Sequence, residues 1–277
     1  MTKTKKKSEW AKLPLRWIHE GGLVTFTDMK LKKTRVPADQ RWMGREWTEA
    51  WLHDKEARNT CIAALRLYLV LCCRADYKSG EAAVTYPELM KLAHMSRPIV
   101  ARSITRLVTA GLIRKKEQPR KEGSVIIIER WNEAYGWGKI PKLKLYDGNE
   151  AGQMLLLAQF NFSKASFHAL KVYVALMAFR DRSAEGLAVV SYDKIAQVTG
   201  IARSYVAEAV NQLYAMDLIS YRPGHFNSGS GDDKTNQYII KGLTARWPSP
   251  NQAEWSGPDL AGEPARPPKA ALPAQVT

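Results

Sequence analysis

The chain has 277 residues, 45% of them hydrophobic, which is enough for two small cores and long for one helical bundle. Its 42 Lys and Arg against 27 Asp and Glu leave a formal charge of +15, so a polyanionic partner is expected, nucleic acid ahead of an acidic membrane surface. Lys3, Lys5, Lys6 and Lys7 lead into Glu9 and Trp10 instead of an apolar run, and the longest apolar stretch, Leu65 to Cys73, is short and interrupted by Arg66. Neither a secretory signal nor a membrane span is expected, and the expected location is the cytoplasm.

The charge is uneven along the chain. Residues 1–60 carry 14 basic and 8 acidic side chains, residues 61–131 carry 13 and 6, and residues 164–246 carry 10 and 7. The first half is therefore the one expected to face a polyanion. Residues 1–58 form a basic, Trp-rich N-terminal arm containing Trp10, Trp17, Trp42, Trp47 and Trp51, suited to a helical cap on the first domain or to a partner. Its clusters Lys3 to Lys7 and Lys30, Lys32, Lys33 and Arg35 serve either as solubilising charge or as arms along phosphates.

An internal repeat organises the next part of the chain. Leu65 to Leu71 matches Leu170 to Leu176 at an offset of 105, with Tyr68 on Tyr173. At an offset of 106 the match continues, Tyr86 with Tyr192, Arg97 with Arg203, Val100 with Val206, Leu107 with Leu213 and Ile113 with Ile219. Each copy predicts the same elements: a helix over about 59–75 or 164–180, an extended piece at 83–85 or 188–190, and a short helix at 87–93 or 193–198. In the first copy a second helix starts at Ser96, a good N-cap with Pro98 in the first turn, and runs to Gly111, which is placed to end it in the left-handed conformation. The pairs 112–116 with 124–128, and 218–221 with 236–240, predict a two-stranded wing in each copy.

These elements predict a mostly α fold with small β wings (α+β), made of two tandem winged helix-turn-helix domains over 59–131 and 164–246. A linker over 132–163 joins them, and residues 247–277, with seven prolines, form a disordered Pro/Ala-rich tail.

Helical spacing turns Val100, Ile104, Leu107 and Val108 inward and presents Ile99, Arg102, Arg106 and Thr109. Arg102 and Arg106 suit bidentate bonding to guanine in a major groove, and Ser96, Arg97 and Ser103 suit phosphate near the helix start. Arg114, Lys115, Lys116, Arg120 and Lys121 charge the wing. In the second copy Tyr205, Glu208 and Gln212 take the three outward places, leaving Arg203, Ser204 and Tyr205 as candidate contacts.

Chemistry is not expected. Cys61, Cys72 and Cys73 crowd one apolar segment and read as buried thiols, and five scattered His offer no zinc spacing, so neither metal nor cofactor is anticipated. There is no phosphate-binding G-x-x-x-x-G-K-[ST] loop and no G-x-S-x-G; Tyr68 and Tyr173 lie within apolar helices. The expectation is a protein that is not an enzyme.

The stretch Val84 to Lys115, VTYPELMKLAHMSRPIVARSITRLVTAGLIRK, resembles the winged helix-turn-helix of bacterial regulators and of phage and plasmid replication proteins, and Val190 to Ser220 resembles it again. Two such units in a basic chain of this size look like a plasmid replication initiator. That resemblance implies binding of double-stranded DNA at repeated origin sequences and recruitment of host replication proteins. The alternatives are a repressor that binds an operator as a homodimer, and a protein-interaction module of a replication or partition complex.

Overall fold

Asp54 opens the longest helix by accepting from the backbone N–H groups of Glu56 and Ala57 at 3.0 and 3.1 Å. In this structure, a computed structural model, that helix covers Lys55–Arg74, four residues earlier than the periodicity predicts, because the apolar pattern begins only after its first turn. The structure describes residues 9–27, 31–37, 47–116, 124–146, 152–181, 186–224 and 235–243.

In chain order the elements are β1 (Ala11–Pro14), α1 (Arg16–His19), a 3-10 turn (Gly22–Thr25), β2 (Leu31–Pro37), β3 (Trp47–His53), α2 (Lys55–Arg74), β4 (Glu81–Val84), α3 (Tyr86–Ala93) and α4 (Arg97–Thr109). They continue with β5 (Ile113–Lys116), β6 (Ser124–Ile128), β7 (Trp137–Ile140), α5 (Lys142–Tyr146), α6 (Leu155–Ala158), α7 (Lys164–Phe179), β8 (Ala188–Val190), α8 (Tyr192–Thr199), α9 (Arg203–Ala215), β9 (Ile219–Arg222) and β10 (Asn236–Ile240). The fold is mixed α+β, helices with small antiparallel sheets.

The two copies repeat down to their caps. Thr85 Oγ1 accepts from Glu88 N at 3.3 Å to start α3, and Ser191 Oγ accepts from Lys194 N at 3.2 Å to start α8. Helices α4 and α9 both end in Schellman geometry: Leu112 N–H donates to Leu107 O and Leu218 N–H to Leu213 O, with Gly111 and Asp217 left-handed. Each copy has a three-stranded sheet, ordered β4-β6-β5 and β8-β10-β9. The expected pairs are present, β5 with β6 and β9 with β10, and the short extended piece before each helix pair joins them as a third strand.

The repeat also reaches further than the apolar match reveals. Lys12-Leu13-Pro14 before α1 corresponds to Lys139-Ile140-Pro141 before α5, and β1 pairs antiparallel with β7 so that Lys12 stands opposite Lys139. Equivalent residues facing each other place a local two-fold between them, with Ala11 opposite Ile140 and Leu13 opposite Gly138 as its consequence. Segments expected as an arm and a linker thus hold matching pieces of the interior, with Trp17, Ile18, Leu23 and Phe26 buried on one side and Ile140, Leu145, Leu156 and Phe160 on the other. Among the described residues of the first 53, the strands β1, β2 and β3 outweigh α1 and the 3-10 turn, so this part is not mainly helical.

Cross-clamps join the copies. Arg66, 3% exposed on α2, donates to Phe160 O at 3.3 Å and Ala93 O at 2.6 Å, while its repeat partner Lys171 on α7, 2% exposed, donates to Phe26 O at 2.8 Å. Each buried cation holds the chain leading into the other copy's first helix. Burial brings the Arg66 pKa down to about 10, which leaves it charged at neutral pH. Tyr68 and Tyr173, together with all three cysteines, are buried in the same continuous core, and burial pushes the Cys73 thiol up to about 12. All described residues belong to one compact unit, Met1–Arg246. The Pro-rich tail, Lys3 to Lys7, Trp42, Arg120 and Lys121 lie outside the described residues.

Candidate nucleic-acid interface

Helix α3, the left-handed turn at His94 and helix α4 form the surface around which the candidate residues lie. Ser96 has the extended backbone of an N-cap, yet its hydroxyl makes no capping bond, and neither does any side chain at Ala202, the matching position before α9. Both second helices therefore start with exposed residues and first-turn N–H groups that no side chain at the cap occupies, the condition under which an anion is welcome.

Arg97 is exposed, its guanidinium 5.5 Å from the Tyr86 ring centroid. Arg102 is half-exposed and ion-paired with Glu56 in the first turn of α2. Arg106 is held more firmly: its Nη2 donates to Thr25 O at 2.7 Å, and its guanidinium lies 4.6 Å from the Phe26 ring centroid. Ile99 and Arg102 line a hollow of about 400 Å3 with Lys55, Glu56, Asn59, Thr60 and Phe162.

Several expectations about α4 need correction, and Ile99 and Arg106, expected outward, are only half-exposed. Ser103 is fully buried, so its hydroxyl is out of a partner's reach, and Val108, expected inward, is 43% exposed. The outward face runs through Pro98, Arg102, Thr105 and Thr109, with Arg97 and Val108 at its edges. The physical reason is that Thr25 and Phe26 hold Arg106, while Ile99 lies beside the start of α2 and Phe162, so the exposed face shifts by a fraction of a turn. Thr105 and Thr109 return their hydroxyls to Ala101 O and Thr105 O at 3.2 and 3.0 Å. Thr105 escapes sequence reasoning because an uncharged residue in a helix gives no signal of contact.

Strand β5 exposes Arg114, Lys115 and Lys116; Arg114 pairs with Glu129 at 2.8 Å and Lys116 with Glu81 at 2.9 Å. Exposed pairs of this kind are worth about 0–1 kcal/mol and exchange readily for a phosphate.

The same face of α9 carries Ser204, Glu208, Asn211 and Ala215, all exposed. Arg203 pairs with Asp193 at 2.6 Å, and Tyr205 sits under Lys164 Nζ at 4.6 Å with the His168 ring 5.1 Å away. Gln212, expected outward, is half-buried and donates to Ser166 Oγ at 3.0 Å. On this face the exposed Arg102 of copy one is replaced by the exposed Glu208 of copy two, while Arg203 keeps the place of Arg97.

Among the described residues no helix is long and apolar enough to cross a membrane, and no three His, Cys, Asp or Glu gather where they could hold a metal ion. No family model matches the chain, and neither does a curated protein or a solved structure.

Proposed function

We propose that the chain binds duplex DNA sequence-specifically through two tandem winged helix-turn-helix units, copy one reading the major groove, and that it acts as a replication initiator at repeated origin sequences. One observation carries the binding reading. The α3–α4 unit joins an uncapped helix start, two exposed arginines at positions 97 and 102, Arg97 and Arg102, and the exposed basic strand Arg114-Lys115-Lys116 on the more basic half of the chain. The initiator role rests on the tandem arrangement and its resemblance to plasmid initiators.

The exposed Glu208 and Tyr214 of α9 favour a second use for copy two, contact with a protein such as a host replication factor or another copy of the chain.

Footprinting on the DNA flanking the gene tests the proposal with wild type and an Arg97→Ala, Arg102→Ala variant. Removing one bidentate arginine–guanine pair costs about 1–3 kcal/mol, so the double variant should lose its specific protection while keeping weak binding elsewhere. Protection equal to wild type would remove α4 as the reader. Protected direct repeats support initiation, whereas a single protected palindrome over a promoter would replace initiation by repression.

A further inference from the structure

The two copies differ by one large insertion. After the buried Phe160, only Asn161 and Phe162 precede the Ser163 cap of α7; after its counterpart Phe26, residues 27–53 intervene before the Asp54 cap of α2. That insertion contains the β2–β3 hairpin, seven residues in each strand, paired from Leu31 opposite His53 to Pro37 opposite Trp47. It forms its own two-stranded sheet and extends neither of the three-stranded ones. A lone two-stranded ribbon is marginal in water, so a role in contact with something outside it is more economical than a role in the interior.

Its position and charge say what that something is. Thr27 and Asp54, the residues at its two roots, line a hollow of about 250 Å3 together with Arg106 of α4 and Glu56, the partner of Arg102. The hairpin thus springs from the edge of the α4 face. Strand β2 has Lys32, Lys33 and Arg35 and no acidic residue; β3 has one, Glu49, in register with Arg35, while Lys32 and Lys33 stand opposite Leu52 and Trp51. Lys33 is exposed. At about 3.3 Å per residue the ribbon reaches roughly 20 Å, more than the roughly 12 Å width of a major groove, so it can follow a backbone past the groove that α4 would enter.

We infer that the β2–β3 hairpin is a second DNA-contacting arm of copy one, with strand β2, which carries Lys32, Lys33 and Arg35, following the phosphates beside the groove read by α4. This rests on the DNA-binding reading above. The arm adds affinity and salt dependence without base preference, and it makes the footprint of copy one longer than that of copy two.

The full chain is tested on a long mixed-sequence duplex by measuring the binding constant across salt concentrations, with a Lys32→Gln, Lys33→Gln, Arg35→Gln variant and a second variant whose residues 31–52 are replaced by a short Gly/Ser link. Each phosphate contact contributes about −0.9 to the slope of log K against log salt, so the triple variant should flatten it by about 2 to 3, and wild type should lose about 40-fold more affinity than the variant between about 50 and 200 mM salt. The deletion should match the triple variant and shorten the footprint on one side only. Wild type that binds with the same slope and footprint as both variants overturns the arm and leaves α4 as reader. Wild type that binds no duplex overturns the DNA reading and the arm with it.

Discussion

Each copy needs left-handed backbone at two places, and the copies fill them in opposite ways. Copy one has His94 between its paired helices and Gly111 after the second; copy two has Gly200 and then Asp217. The conformation belongs to the motif, since a helix that stops and turns sharply needs it, while the residue belongs to the surroundings. At Gly200 a Cβ would meet the Val24 methyls at 3.0 and 3.2 Å, so glycine is favoured twice over, by φ and by tight contact. At Gly111 nothing lies within 4 Å of such an atom. Asp217 is tolerated because Asp adopts this region more readily than most residues and its carboxylate accepts from Lys144 and Lys241, which hold its pKa below the usual carboxylate range.

The buried cations give the largest test of how equivalent the copies are. Arg66→Ala leaves two buried carbonyls without their donor and should cost about 3 kcal/mol, whereas Lys171→Ala should cost about 2, read from urea unfolding midpoints. Equal losses would show that the clamps are interchangeable. The glycines come next. Gly200→Ala should cost about 2 kcal/mol, from strain plus contact with Val24, against about 1 for Gly111→Ala from strain alone. Equal losses at the two positions would mean that Val24 moves aside freely.

The smallest effect is pH-dependent and one-sided. His19 on α1 and Tyr146 on α5 are repeat partners; burial lowers the His19 pKa, an effect its hydrogen bond to the Ala178 backbone only partly offsets. The unfolded chain then binds a proton that the folded one resists, so stability should fall as pH drops below about 6.5 toward the lower folded value. His19→Tyr should flatten that part of the stability profile, which a melting series from neutral to mildly acidic pH would show. An unchanged profile would mean that His19 charges without cost in the folded chain.

Much of this architecture is legible in the sequence because duplicated apolar positions must stay apolar. The helices, the strands Ser124–Ile128 and Asn236–Ile240, and the left-handed Gly111 follow from periodicity and turn chemistry. Segments built from elements of only four residues, such as β1 and α1, are harder to place, because no periodicity can build up over so short a run. Lys-[Leu/Ile]-Pro at 12–14 and 139–141 is the signal that could place them, but three residues separated by an offset of 127, different from the main one, do not stand out. The face of α4 differs from expectation by a fraction of a turn for a related reason: a helix's exposed side depends on everything packed against it, and Thr25 and Phe26 lie about eighty residues away.

The pairing of β1 with β7 has a consequence for synthesis. A strand at residues 11–14 finds its mate only at 137–140, so on the ribosome the nascent first copy must wait, its α1 segment and Phe26 without their full packing, until more than half the chain has emerged. High contact order at this one ladder sets a late step in folding, and a chaperone that shields Trp17 and Phe26 would act in that interval.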